Sequence, residues 1–94
     1  MSFLHTLEGI IRDRQANPVE GSYTNSLFES GRGRIAQKVG EEGVETVIAA
    51  LTQDRERQTS EIADLFYHTL VLMAELGLTL EEIEAELQRR HAPR

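Results

Sequence analysis

An all-α fold is what this 94-residue sequence predicts, and three observations lead to it. Apolar residues recur at three- and four-residue intervals through most of the chain. No stretch alternates with a period of two over a useful length, and hairpin-forming pairs such as Asn-Gly are absent. Capping and stop residues fall between the periodic segments, where helix ends should lie.

A first helix carries Phe3, Leu4, Leu7, Ile10 and Ile11 on one face. It should end before ANPVEGSYTN, because Pro18 disfavours helical backbone at Asn17 and the stretch is rich in turn residues. A short helical piece is expected at NSLFES, closed by Gly31 and Gly33. The third helix runs from about Arg34 to Gln53, with Val39, Val44, Val47, Ile48 and Leu51 spaced for a core. The chain then turns, and Asp54 can cap a fourth helix that reaches about Leu76. That helix holds Ile62, Leu65, Phe66, Leu70, Leu72 and Met73, is apolar nearly all round, and should be mostly buried. Gly77 stops it. Thr79 with Glu82 forms a capping box for a last helix ending near His91. With no repeat or linker, residues 1–94 read as one domain.

Composition narrows the function. A net charge of -6 and a pI near 5.0 argue against a general grip on nucleic acid or an anionic membrane, though not against a local basic patch. Without cysteine there is neither a disulfide framework nor a thiolate metal site, so any metal must be held by oxygen or imidazole. Glu8 and Asp13 interrupt the N-terminal apolar pattern, which is not that of a signal peptide, and nothing approaches a membrane span. The expectation is a soluble, cytoplasmic protein. A chain this short has a modest core, and association through an apolar helix face would help it.

The third helix raises a question: KVGEEGVETVIAAL combines core spacing with clustered acids and two glycines. At about 100° per residue, Lys38, Glu41, Glu42 and Glu45 share one side. On the fourth helix Glu61 and Asp64 stand three apart, with His68 a turn further on. The Glu42/Glu45 and Glu61/Asp64 pairs are equidistant from about Gln53, so an antiparallel hairpin reversing there would set them face to face. Carboxylates converging in this way need a compensating cation, and Mg²⁺ or Mn²⁺ is the natural occupant. The plainer alternative is a solvated face, with Glu61 paired to Arg57 and Lys38 to Glu42 at i, i+4. His68 fits a packed, hydrogen-bonded neighbour better than a ligand. Lys38 is the chain's only lysine, and Arg32 and Arg34 flank Gly33 at the entry to the third helix. Together with the positive helix end they would form a local anion site, which beside a divalent cation suggests a polyphosphate substrate. Gly40 and Gly43 cost helix stability and suggest close helix approach.

KVGEEGVE followed by EIADLFYH resembles the E-E-x-x-E and E-x-x-D motifs of the all-α nucleoside triphosphate pyrophosphatases, the MazG-type superfamily. GSYTNSLFESGRGRIAQKVGEEGVETVIAAL and ADLFYHTLVLMAELGLTLEEI resemble one family within it, the phosphoribosyl-ATP pyrophosphatases of histidine biosynthesis, from about Phe3 to Leu87. The resemblance implies a helical bundle completed by homodimerisation and Mg²⁺-dependent hydrolysis of phosphoribosyl-ATP to phosphoribosyl-AMP and pyrophosphate. It implies metal-binding roles for Glu42, Glu45, Glu61 and Asp64, with Glu41 a further ligand or the group that orients the attacking water. Lys38, Arg34 and Arg32 would stabilise the departing pyrophosphate, while Ser22, Tyr23 and Thr24, expected on a loop, could contact ribose or phosphate. The lack of a second domain implies the free-standing form rather than a fusion to the cyclohydrolase of the next step. Two other readings remain at this level: a pyrophosphatase acting on non-canonical nucleoside triphosphates, and a helical dimerisation module without catalysis.

Overall fold

The computed structural model describes residues 2–93, which form five α-helices: α1 (Phe3–Ala16), α2 (Tyr23–Ser30), α3 (Arg32–Thr52), α4 (Arg55–Leu76) and α5 (Leu80–Arg90). No strand occurs among the described residues. The all-α expectation is met, and the predicted caps are present. The Asp54 side chain accepts from the Arg57 amide, and Thr79 and Glu82 form the reciprocal capping box. Gly77 adopts the left-handed conformation at φ 74°, and its amide and that of Leu78 satisfy the last carbonyls of α4, as a helix stop requires.

Two boundaries differ from expectation. α2 begins at Tyr23, not Asn25, because the Ser22 hydroxyl accepts from the Asn25 amide and caps the helix. Ser22 is therefore a cap, and Tyr23 and Thr24 are helical rather than loop residues. Gly33 lies inside α3 and closes nothing. The break between α2 and α3 is Gly31 alone, at φ 90° and ψ 170°, a backbone conformation open in practice only to glycine.

The core gathers Ile11, Leu27, Ile35, Leu70, Val71, Met73 and Ala74, where α1, α2 and the start of α3 meet the C-terminal half of α4. Asn25, also buried, ties this end together: its amide donates to the Arg14 carbonyl and its oxygen accepts from the Val19 amide. The far arm of the α3–α4 hairpin projects past this cover. There the expected burial fails: Val44, Val47 and Leu51 are 60%, 58% and 79% exposed, and Ile62 and Phe66 on α4 are 42% and 50% exposed. Among the described residues nothing covers them fully, and Phe66 only borders an open apolar recess with Leu4 of α1 and Ile83 and Leu87 of α5. α1 covers only the core half of α4, and α5 turns away from it by 105°, buries no residue, and is held through the Leu80 amide to Glu8 and His5 to Glu84. The radius of gyration, 14.7 Å, exceeds the roughly 12 Å of a compact chain this long. Gly40 and Gly43 face open space, so the close approach expected of them is not made within the chain. No single helix among the described residues is long and apolar enough to cross a membrane.

Candidate active site

The α3–α4 hairpin sets the acids in register. Reversal at Gln53 is stapled by Gln58, whose amide donates to the carbonyls of Ala49 and Gln53. Further along, the Thr46 hydroxyl donates to the Glu42 carbonyl within α3 and approaches the Glu61 carbonyl of α4 at 3.3 Å. One side chain thus fixes the spacing of the two helices at the level of the acids. As the equidistance about Gln53 required, one carboxylate oxygen from each of Glu42, Glu45 and Glu61 lies within 4.8 Å of the others. Glu45 and Glu61 border a shallow recess shared with Ile48, Gln53 and Arg57.

The electrostatics of this trio are adverse as it stands. Glu42 and Glu61 are buried, and each has one oxygen, Oε2, with no hydrogen-bond partner. Burial, reinforced by the Glu45 carboxylate against it, raises the Glu42 pKa; His68 and Lys38 oppose this without reversing it. For Glu61 contact with Glu45 is the leading cause of a raised pKa, followed by burial, with Asp64 adding to it and Arg57 opposing. Orphaned oxygens on converging hard ligands are what a divalent cation would satisfy, so the donor set fits one held by Glu42, Glu45 and Glu61.

Both plainer pairings are also present. Arg57 donates to Glu61 Oε1 at 3.0 Å, and the Lys38 ammonium lies 3.6 Å from Glu42 and 3.5 Å from Glu41. They leave the second oxygens of Glu42 and Glu61 unanswered, and so add to the cluster without replacing it. Glu41 stands outside on the exposed side, held by the Gln37 amide, Lys38 and Arg34. The hydrogen bond from Gln37, then the neighbouring cations, lower its pKa despite some desolvation. Its carboxylate orders Lys38 and Arg34 into one positive strip along α3.

Other expected site residues are placed differently. Asp64, although one turn past Glu61 on the same helix, is exposed and is not among the three acids that converge. Arg32 is drawn away to Glu75 at the opposite end of α4, 3.5 Å from its carboxylate, and stands about 15 Å along α3 from Glu42. Thr24 is hydrogen-bonded to the Tyr67 hydroxyl. Tyr23 reaches back from α2 to the acidic region, where its hydroxyl is 3.0 Å from His68 Nε2. His68 is a buried, doubly hydrogen-bonded neighbour, as its setting suggested. Sequence reasoning missed Thr46, Gln37, Tyr67 and Asn25. For Thr46 a signal existed, a hydroxyl one turn after Glu42, a spacing that lets it bond back to that carbonyl.

Fold and cluster together define a class: an all-helical protein presenting converging carboxylates on a helical hairpin, beside a strip of fixed positive charge. Comparison with known sequences narrows it. The family model described as phosphoribosyl-ATP pyrophosphohydrolase matches residues 4–91, and the chain belongs to that family. It is 54% identical over 87 residues to a phosphoribosyl-ATP pyrophosphatase of Metallosphaera sedula, covering 93% of this chain and 94% of that one. To the phosphoribosyl-ATP pyrophosphatase of Clostridium acetobutylicum it is 50% identical over 88 residues, 94% of this chain and 80% of that one. It is also 53% identical over 81 residues to the histidine biosynthesis bifunctional protein HisIE of Oceanobacillus iheyensis; these are 86% of this chain but only 38% of that longer protein.

Proposed function

We propose that this protein hydrolyses phosphoribosyl-ATP to phosphoribosyl-AMP and pyrophosphate, in histidine biosynthesis, with Mg²⁺ held by Glu42, Glu45 and Glu61. The observation that carries the reading is the trio itself, two of whose buried oxygens have no hydrogen-bond partner among the described residues. Asp64, exposed beside Glu61, completes the set by a rotation of its side chain. Mn²⁺ suits the same oxygen ligands. A bound divalent cation supplies charge against the triphosphate and acidifies the attacking water.

The chain's own residues do the rest. Lys38 and Arg34, ordered by Glu41, face the phosphates and stabilise negative charge on the departing pyrophosphate. Glu41 remains ionised and is placed to orient the water beside these cations. Water adds its oxygen to the α-phosphorus, the bond to the bridging oxygen breaks, and the electron pair leaves with pyrophosphate. Arg32 acts at a distance, fastening the start of α3 to the end of α4.

The active form is a homodimer. Val44, Val47, Ile48 and Leu51 make an i, i+3, i+4, i+7 stripe that the chain leaves bare next to the acids, and Ile62 and Phe66 extend it on α4. A second copy would cover this stripe and close the acidic recess. Pyrophosphate release from phosphoribosyl-ATP, measured against a panel of nucleoside triphosphates with Mg²⁺ and with a chelator, tests the reading. Turnover should be confined to phosphoribosyl-ATP and to the metal-containing arm; equal turnover of ordinary triphosphates would refute the substrate, and turnover in chelator the metal.

A further inference from the structure

The hairpin that carries the acids also carries four threonines, and one of them is bonded unlike the rest. Thr46 and Thr52 on α3, and Thr59 and Thr69 on α4, each return the hydroxyl to the carbonyl four residues back, at 2.7–2.8 Å. Of the four, only Thr46 also meets a carbonyl on the facing helix, that of Glu61 at 3.3 Å.

Neither carbonyl needs that hydroxyl. Glu42 and Glu61 lie inside helices, so each carbonyl already accepts from the amide four residues on. The hydroxyl has one proton, which the shorter contact directs to Glu42 and the longer one shares with Glu61. β-Branching leaves threonine few side-chain rotamers in a helix, and the bond back to Glu42 selects among them. What the hydroxyl adds is therefore a fixed separation between two backbones. They belong to the two residues whose buried Oε2 atoms have no hydrogen-bond partner among the described residues. Glu45, the third acid, is Thr46's neighbour in the chain.

That separation matters differently to different cations. Mg²⁺ requires near-octahedral oxygens at about 2.0–2.1 Å, whereas Ca²⁺ accepts roughly six to eight at about 2.3–2.6 Å in irregular arrangements. A hairpin free to open would cost the smaller ion its geometry first. We infer that Thr46 is a positioning residue that makes the carboxylate trio favour small divalent cations over large ones, by holding the backbones of Glu42 and Glu61 at one separation. The inference deepens the proposed function and rests on its divalent cation, not on its substrate.

Calorimetric titration of the full chain with Mg²⁺ and, separately, with Ca²⁺ tests it in wild type, Thr46→Val, Thr46→Ser and Thr52→Val. Valine keeps the branched shape and strands neither carbonyl, so metal-free Thr46→Val should keep its helix content and melt close to wild type. It should bind Mg²⁺ about tenfold more weakly, the lower end of the range for groups that orient metal ligands, and Ca²⁺ with little change. Thr46→Ser, which retains the hydroxyl, should recover most of the Mg²⁺ affinity. Thr52→Val, which loses only a bond within α3, should bind both ions as wild type does. Equal losses for Mg²⁺ and Ca²⁺, a Thr46→Ser no better than Thr46→Val, or a metal-free Thr46→Val that melts far below wild type would overturn the inference and make the role structural. Wild-type Mg²⁺ affinity in Thr46→Val would overturn it too, while leaving the cation of the proposed function in place. A wild type that binds neither ion would refute that cation and this inference together.

Discussion

Replacing Glu42 by glutamine should invert the stability order of wild type and variant according to whether Mg²⁺ is present. Glu42 is 6% exposed, its Oε2 has no hydrogen-bond partner, and Glu45 presses a like charge against it. Its one favourable ion pair, with Lys38 at 3.6 Å, is partly redundant because Lys38 also has Glu41 at 3.5 Å. An unsatisfied buried polar group costs about 1–3 kcal/mol, and a neutral carboxamide relieves part of that cost. We therefore expect metal-free Glu42→Gln to be about 1 kcal/mol more stable than wild type, or ~4–8 °C in Tm for a chain of this size. With Mg²⁺ at about a hundred times its Kd, wild type gains about 2.7 kcal/mol and the variant little, so wild type becomes the more stable. Thermal unfolding at one fixed protein concentration, in chelator and in Mg²⁺, reads both arms. A wild-type Tm indifferent to Mg²⁺, or a metal-free variant less stable than wild type, would refute the account of the trio as a site strained by missing charge.

Three other outcomes follow from the same structure. Glu42 and Glu61 have raised pKa values when folded, so the stability they contribute is fully present below the ordinary carboxylate value of 4.5 and is lost as pH rises through the folded values. Urea titrations of metal-free protein should thus show stability declining above that pH, and Glu61→Gln should flatten the decline; the surface pairs of Glu41 and Glu86 work in the opposite sense and are small. Asn25→Ala strands the Val19 amide and the Arg14 carbonyl and should cost about 2 kcal/mol by the same titration, with no change in Mg²⁺ affinity. Val47→Glu places a charge in the bare stripe and should weaken dimerisation at least about tenfold in sedimentation experiments, while leaving the helix content of the monomer intact.

Local features were legible in the sequence because their causes are local. Asp54 and Thr79 cap helices through amides three residues on, and Gly77 ends α4 through its own backbone freedom. The meeting of Glu42, Glu45 and Glu61 was legible too, because a hairpin converts equal distances from Gln53 into equal heights. Burial on α3 and α4 was not. An apolar stripe such as Val44, Val47, Ile48 and Leu51 says that a face needs cover, and says nothing of which chain provides it. Arg32 was misplaced for another reason: its partner Glu75 lies 43 residues away, and only the tertiary fold decides whether that arginine turns toward the acids or the far end of α4. The start of α2 was missed because a single hydroxyl, that of Ser22, sets it in a stretch without apolar periodicity.

The short turn at Gln53 and Asp54 can now be seen as a ruler. Glu61 meets Glu42 and Glu45 only because a set number of residues separates the reversal from each of them, and Gln58 and Thr46 hold that count in place. One extra residue within the first two turns of α4 would advance Glu61 by about 1.5 Å and swing it about 100° around the helix axis. The helix would survive and the core beyond it would have to choose between its own register and that of the acids. Chain length between the turn and Glu61 is therefore under chemical constraint, although none of Asp54, Arg55 and Glu56 lines the acidic recess.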